Sequence, residues 1–173
     1  MAGVLDSSRM KFFISEALGI SINDVETFVL GGHGDDMVPL VNYTTIGGVP
    51  LLNYIKIKKI PHSKIENIVD RTRMGGGEIV KLLKKGSAYY APASSAIQMA
   101  EAYLLDQKKL LPCAAYLNGQ YGLKGMYMGV PSIIGNKGIE KIIEVNLTPK
   151  EKIMLKKSVK SVQGLVSAVN KLL

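Results

Sequence analysis

A capped, amphipathic segment at the carboxyl end places the strongest constraint on how this chain can fold. Thr148-Pro149-Lys150-Glu151 has the Thr-x-x-Glu spacing of a capping box, with a proline at the first helical position. Apolar residues then recur at alternating spacings of four and three: Leu155, Val159, Val162, Val166, Val169 and Leu173. This pattern predicts a long helix whose single apolar stripe docks on a sheet or on a partner subunit.

Three further helical segments are indicated upstream. Between Asp6 and Leu18, apolar residues fall at helical spacing, and Gly19 is expected to end the helix. A second segment begins at Ser63, is interrupted at Gly75-Gly76-Gly77 and resumes from Glu78 to Leu83. Consecutive glycines predict a kink or a close approach of another group to the backbone. The third segment is marked by Ala96, Met99, Ala100 and Tyr103.

Short β-rich segments separated by glycine-bearing turns fill the remainder. The run from Val25 to Leu30 leads into Gly31-Gly32-His33-Gly34-Asp35, and a second extended stretch covers Met37 to Asn42. Four later segments, 111–117, 126–130, 132–134 and 139–145, are expected to form an antiparallel meander. Helices and strands are mixed without a βαβ alternation, so the predicted class is α+β, with antiparallel strands, packed helices and a long C-terminal helix. No repeat or linker divides the chain, so residues 1–173 are expected to form one domain.

The positive net charge raises the question of nucleic-acid binding. The 173 residues include 22 Lys and Arg against 14 Asp and Glu, a formal charge of +8. Only three of the basic residues are arginines: Arg9, Arg71 and Arg73. Nucleic-acid surfaces favour arginine interleaved with aromatic residues, whereas these lysines are scattered over helix faces. A solvated lysine-rich surface is therefore predicted, and a nucleic-acid groove is the disfavoured alternative.

Membrane, secretory and metal-dependent classes are also disfavoured. No apolar run approaches the ~18 residues of a membrane helix, and Asp6 and Arg9 fall where a signal peptide would be apolar. The single cysteine, Cys113, predicts a reducing compartment, taken to be the cytoplasm. The two histidines, His33 and His62, belong to no Cys/His cluster, so no metal site is expected, and His62 is interpreted as a surface or helix-capping residue.

Three side chains are candidates for chemistry. His33 is flanked by glycines at the end of a strand, while Asp6 and Arg9 are spaced i, i+3 and so project from one helix face. An acid, a guanidinium and an imidazole together would make a proton-transfer site for an anionic substrate. Taken singly, each has a simpler interpretation: a turn histidine without a role, a helix-capping aspartate and a solvent-exposed arginine. Neither a G-x-G-x-x-G fingerprint nor a Walker loop occurs.

Several longer motifs resemble the lactate/malate dehydrogenase superfamily. These are Met-Ala-Gly-Val-Leu-Asp-Ser-Ser-Arg at 1–9, Leu-Gly-Gly-His-Gly-Asp at 30–35 followed by Met-Val-Pro, and Gly-Ser-Ala-Tyr-Tyr-Ala-Pro-Ala at 86–93. The likeness is greatest to malate dehydrogenases of the lactate-dehydrogenase-like type and extends over essentially the whole chain. It implies that His33 is the proton acceptor and donor, that Asp6 orients it, and that Arg9 clamps the substrate carboxylate. It also implies that Pro92 lies near the nicotinamide of NAD.

The resemblance further implies a two-part enzyme. In that family an NAD-binding Rossmann domain comes first, and this chain is expected to be the substrate domain without it, inactive alone and contributing little to cofactor binding. Malate and oxaloacetate would be the substrates, the tricarboxylic acid cycle the setting, and a homo-oligomer, dimer or tetramer, the assembly. Alternatives are a lactate or other 2-hydroxy-acid dehydrogenase fragment, and a non-catalytic oligomerisation module that uses the terminal helix and the helix at 71–85.

Overall fold

Five α-helices pack around two antiparallel sheets in the computed structural model, which describes residues 1–172. The helices are α1 (Ala2–Leu18), α2 (Leu51–Ile57), α3 (His62–Leu83), α4 (Tyr90–Leu104) and α5 (Pro149–Asn170). The predicted α+β class with a long C-terminal helix is confirmed. No helix in the described range is long and apolar enough to span a membrane.

The larger sheet carries the loop that contains His33. Its strands are β2 (Val29–Gly31), β3 (Met37–Pro39), β6 (Lys109–Asn118), β7 (Lys124–Gly135) and β8 (Gly138–Ile142), in the order β3-β2-β7-β6 with β8 paired to β7. Strands β6, β7 and β8 form the predicted meander. The segments 126–130 and 132–134 are one strand rather than two, because the pairing with β6 continues through Pro131, opposite Pro112.

The smaller sheet corrects two of the expected strand boundaries. It consists of β1 (Val25–Glu26), β4 (Thr45–Ile46) and β5 (Val49–Pro50), in the order β1-β4-β5. The single strand expected over 25–30 is therefore split between β1 and β2, which belong to different sheets. The stretch expected to be extended from 37 to 42 ends as a strand at Pro39, and residues Val41–Tyr43 form a turn of 3-10 helix.

Helix α1 runs through the middle of the molecule and contacts α3, α4 and the larger sheet. Its buried apolar side chains include Met10, Phe13 and Ile14, which join the cluster shared with α3. The helix ends at Gly19 with φ 63°, as predicted, but it begins at Ala2, earlier than expected. Asp6 therefore lies inside the helix rather than at its start, and the helix-capping interpretation of Asp6 is wrong.

Helix α3 is continuous across Gly75-Gly76-Gly77, so the expected interruption is wrong. The middle of α3 is held to α1 by Arg71, whose guanidinium lies 4.1 Å from the centre of the Phe13 ring and pairs with Glu16 of α1 and with Glu78 beyond the glycines. These contacts keep the glycine segment helical against α1. His62 is exposed in the first turn of α3, where a surface histidine was expected.

Helix α5 begins with the predicted capping box: Glu151 N–H donates to Thr148 Oγ1, and Thr148 N–H donates to Glu151 Oε2. Only the first half of its apolar stripe is docked on the larger sheet. Leu155 and Val159 are buried, whereas Val166 and Val169 are exposed. Leu173 lies outside the described residues.

Candidate active site

His33 follows strand β2 on a loop that only glycine can build. Gly31 has φ +86° and Gly34 has φ +78°, the left-handed region that other residues rarely adopt. A Cβ at Gly31 would also lie 2.7 Å from Ser158 Oγ on α5. The loop therefore turns sharply after the sheet and presents the imidazole at the surface, where its side chain is 49% exposed.

Asp6 meets this imidazole from helix α1. Its Oδ2 lies 2.9 Å from His33 Nδ1, although the two residues are 27 apart in sequence. Asp6 is buried, with 1% of its surface exposed, whereas the other side of the His33 ring faces solvent. Burial raises the pKa of the Asp6 carboxyl above its usual range, and the hydrogen bond to His33 and the charges of His33 and Arg9 oppose that rise.

Arg9 lies one helical turn after Asp6 on the same face of α1. Its Nη1 is 3.5 Å from Asp6 Oδ1, a separation typical of an ion pair without a short hydrogen bond. Its Nε and the Oδ1 of Asp6 are both buried and have no hydrogen-bond partner among residues 1–172. Such unpartnered buried groups are uncommon, so the guanidinium has donor capacity that the described protein atoms leave unused.

Two cavities adjoin His33. The larger, of about 640 Å³, lies between the His33 loop and α3, and its charged lining consists of Arg9, Asp35, Arg71, Arg73, Glu78 and Lys81. The smaller, of about 180 Å³, lies between the first turn of α1 and strand β7. An anionic molecule in the larger cleft would meet more positive than negative side chains, with the imidazole and Arg9 at its wall.

Helix α5 supplies an anchor that sequence analysis missed. Ser158, fully buried, accepts a 2.7 Å hydrogen bond from the backbone N–H of Gly32, next to His33. Asp36, at the end of the same loop, lies 3.5 Å from Lys157, and a hydrogen bond from Ser161 contributes most to lowering its pKa. The sequence indicates this anchor only by the serine on the apolar face of the helix, because a buried hydroxyl requires a hydrogen-bond partner.

Pro92 is half-buried in the first turn of α4 and lines neither of the cavities beside His33. The three other predicted site residues, His33, Asp6 and Arg9, are brought together. Residues 1–172 contain no cluster of three or more side chains that could hold a metal ion.

Comparison with known proteins covers nearly the whole chain. The family model of the lactate/malate dehydrogenase alpha/beta C-terminal domain matches residues 3–171. A malate dehydrogenase from Methylobacterium radiotolerans is 58% identical over 168 residues, which are 97% of this chain and 52% of that protein. The chain thus spans about half the length of this relative.

Solved structures of malate and lactate dehydrogenases are also similar to this chain. A malate dehydrogenase from Cryptosporidium parvum superposes with a TM-score of 0.96 at 50% identity, over 99% of this chain and 55% of that one. A lactate dehydrogenase from Eimeria maxima, solved with NADH and oxamate, gives a TM-score of 0.95 at 49% identity, over 99% of this chain and 54% of that one. Proteins with either name are therefore similar to this chain to almost the same degree.

Proposed function

Because this chain belongs to the lactate/malate dehydrogenase family, through its alpha/beta C-terminal domain, we propose that it is the substrate domain of an NAD-dependent malate dehydrogenase. The reaction is the interconversion of malate and oxaloacetate. The observation that carries the proposal is the contact between Asp6 and His33, with Arg9 beside it and an open cleft in front. A family likeness alone would support the fold but leave the chemistry open.

His33 is the proposed base in malate oxidation. The C2 hydroxyl of malate loses its proton to the imidazole Nε2, while the C2 hydrogen leaves as a hydride, and the C–O bond becomes the carbonyl of oxaloacetate. In the reverse direction the imidazolium returns the proton to the same oxygen. A half-exposed imidazole that lines the cleft suits this role, since Asp6 engages Nδ1 and leaves Nε2 for the substrate.

Asp6 positions the proton on His33. An ionised carboxylate can only accept hydrogen bonds, so its contact with Nδ1 favours the tautomer that carries a proton there and leaves a lone pair on Nε2. Once Nε2 takes the substrate proton, the imidazolium stands 2.9 Å from a buried negative charge. That charge stabilises the protonated ring.

Arg9 is the proposed clamp for the carboxylate next to C2. A guanidinium presents two parallel N–H groups that match the two oxygens of a carboxylate, which fixes the distance from C2 to His33. Arg9 lines the cleft, and its Nη1 and Nη2 atoms lie beside Gly76, which lines the cleft as well. Arg71, by contrast, is engaged by Glu16 and Glu78 and by the Phe13 ring, which suits a structural role.

The described residues do not form a binding site for the whole NAD molecule. Every strand pair in the part of the chain that the structure describes is antiparallel, so this part contains no parallel βαβ unit to bind a dinucleotide. NAD, when bound, supplies the hydride acceptor. We place most of its binding site in a separate Rossmann domain, and we keep Pro92 as the residue of this chain proposed to lie near the nicotinamide.

Malate is favoured over lactate by two observations. The relative with 58% identity is a malate dehydrogenase. The solved structures do not separate the two, since the malate dehydrogenases among them are 42–50% identical and the lactate dehydrogenases 47–49%. The cleft also presents Lys81 beyond Arg9, a second positive charge that favours a dianionic substrate, whereas Arg73 is paired with Asp70 at 3.0 Å. A lactate or other 2-hydroxy-acid dehydrogenase is the second candidate.

The assembly proposed is a cytoplasmic homo-oligomer. Large apolar side chains are exposed on α4 and just beyond it, among them Ile97, Leu104 and Leu105. Such a patch is typical of a surface that another domain or subunit covers. Sedimentation of the complete enzyme, expected to give twice the monomer mass or more, measures the assembly.

Steady-state kinetics of the complete enzyme and its Arg9→Lys variant test the function. We expect kcat/KM to be higher for oxaloacetate than for pyruvate, and Arg9→Lys to lower it for both by about tenfold to a hundredfold. The reason is the loss of one charged hydrogen bond, worth about 1.5–3 kcal/mol, from a two-pronged contact. The KM for NADH is the internal control and should not change. A preference for pyruvate would reassign the substrate, and unchanged kinetics would return Arg9 to a structural role.

A further inference from the structure

Three consecutive glycines in the middle of a regular helix need an explanation. Glycine lowers helix stability relative to alanine because its backbone loses more freedom on folding. Helix α3 nevertheless keeps its course through Gly75, Gly76 and Gly77, and none of the three has a positive φ that would require glycine. The reason must therefore lie in the space around the missing side chains.

That space differs sharply among the three positions. A Cβ at Gly75 would lie 3.2 Å from Cδ and 3.7 Å from Nε of Arg9, and 3.5 Å from Cε2 of Phe13. At Gly76 the nearest atoms would be Nη1 and Nη2 of Arg9, at 3.5 and 3.8 Å. At Gly77 nothing lies within 4 Å. Arg9 therefore lies along the bare backbone of α3, and only at Gly75 would a methyl group force it to move.

Arg9 has little freedom to accommodate such a group. Its side chain is only 10% exposed, and Asp6 holds the guanidinium from its own helix. Gly75 is itself buried, and a Cβ there would also meet the Phe13 ring. A methyl group at position 75 would have to displace the Arg9 stem by a few tenths of an ångström, and that shift is carried to the guanidinium at the end of the side chain.

We propose that Gly75 is a positioning residue for substrate binding: the absence of a side chain there sets where the Arg9 guanidinium lies. This inference rests on the proposed role of Arg9 as the carboxylate clamp. It adds to that role the backbone of helix α3, which at Gly75 leaves room for the Arg9 side chain. Gly75 does not touch the substrate in this arrangement and acts only through Arg9.

The test compares Gly75→Ala with Gly164→Ala in the complete enzyme. Gly164 lies inside helix α5, is exposed, and has nothing within 4 Å of a Cβ, so it matches Gly75 in helix propensity but not in contacts. Gly75→Ala should raise the KM for the 2-oxo-acid substrate about fivefold or more, because small displacements of a positioning group reduce productive binding steeply. Gly164→Ala should leave that KM unchanged. Neither variant should alter the KM for NADH.

A double variant separates positioning from a general packing effect. In an Arg9→Ala background the group that Gly75 positions is gone, so adding Gly75→Ala should leave the remaining kcat/KM within about twofold of the Arg9→Ala value. Independent effects would instead multiply. Thermal melting of each variant shows that it is folded, and a fall in melting temperature without any rise in substrate KM would indicate that Gly75 serves only the packing of α1 on α3.

The outcomes for Gly75 and for the proposed function can be told apart. If the unmodified complete enzyme reduces neither oxaloacetate nor pyruvate with NADH, the proposed function fails. If it does so, but Gly75→Ala has the same substrate KM as Gly164→Ala, the positioning role alone is overturned. An equal effect of Gly75→Ala with and without the Arg9 side chain also overturns it.

Discussion

At the scale of single residues, the proposed site contains a buried carboxylate. Burying its charge lowers the free energy of unfolding. Asp6 is buried, and its pKa is raised because the loss of hydration outweighs the favourable contacts with His33 and Arg9. A raised folded-state pKa means that the folded chain binds the Asp6 proton more tightly than the unfolded chain. The contribution of Asp6 to stability therefore becomes less favourable as the pH rises from about 4 through its folded pKa, and the cost remains at neutral pH.

Replacing Asp6 with asparagine should separate stability from activity. Asp6→Asn keeps the shape and removes the charge, so the melting temperature of the chain at pH 8 should be equal to or higher than that of the unmodified chain. Turnover of the complete enzyme should fall by about 10³–10⁴, as in another His–Asp system where the same change favours the wrong tautomer. Calorimetry and steady-state kinetics measure the two effects, and NADH affinity should survive.

The opposite pattern would contradict this view of Asp6. A clear drop in melting temperature with normal turnover would make Asp6 a structural residue of α1. Parallel loss of NADH affinity and turnover would also exclude the orienting role, since an orienting group acts on proton transfer rather than on cofactor binding.

At the scale of elements, helix α5 holds the loop that carries His33. The loop contains two glycines in the left-handed region, and the His33 side chain is half exposed. Contacts within the loop therefore do little to fix its conformation. Ser158 fixes it from the docked half of α5, one turn after Leu155 and next to Val159. The capping box and the buried leucine place the helix, and the helix then places the hydroxyl that holds Gly32.

Ser158→Ala should weaken both the fold and the site. Removal of the hydroxyl leaves the Gly32 N–H without its acceptor, a loss of about 1–3 kcal/mol, or roughly 2–10 °C in melting temperature for a chain of this size. In the complete enzyme kcat should fall about three- to tenfold as His33 loses its fixed position. Ser167→Ala, at an exposed position of the same helix, is the matched control and should change neither value. Identical behaviour of the two variants would refute the anchoring role.

At the scale of the whole molecule, the described residues leave the proposed site open to solvent. The cleft in front of Arg9 and His33 is walled by the His33 loop and α3, and the imidazole is half exposed. Dehydrogenase chemistry excludes water from the reacting carbon, which these walls alone do not achieve. We therefore expect a second domain to close the site over the substrate.

The 173-residue chain by itself should show neither NADH affinity nor dehydrogenase turnover. A fluorescence titration should reveal no saturable NADH binding up to about 1 mM, a limit equal to roughly 4 kcal/mol of binding free energy. The complete enzyme, assayed under the same conditions, is the positive control. Measurable malate oxidation by the isolated chain would refute the two-domain proposal.

Features that depend on neighbouring residues could be predicted from the sequence. The capping box of α5, the glycine that ends α1 and the glycine-flanked turn of His33 are set by residues within a few positions of one another, so their patterns are visible in the sequence. The antiparallel meander followed from the same short-range turns. The positions of Asp6, Arg9 and His33 made them candidates and the motif resemblance implied their roles, but neither gave the distances between them.

Contacts between distant segments were decided only by the tertiary structure. Asp6 meets His33 because α1 crosses the sheet end, and the burial that shifts its pKa comes from neighbours far along the chain. The three glycines at 75–77 predicted either a kink or a close approach of another group. Helix α3 is continuous, and the close approach is that of the Arg9 side chain of α1. Tertiary packing also decides that the second half of the apolar stripe on α5 is exposed. Periodicity shows which face of a helix is apolar, whereas only the fold decides how much of that face is covered.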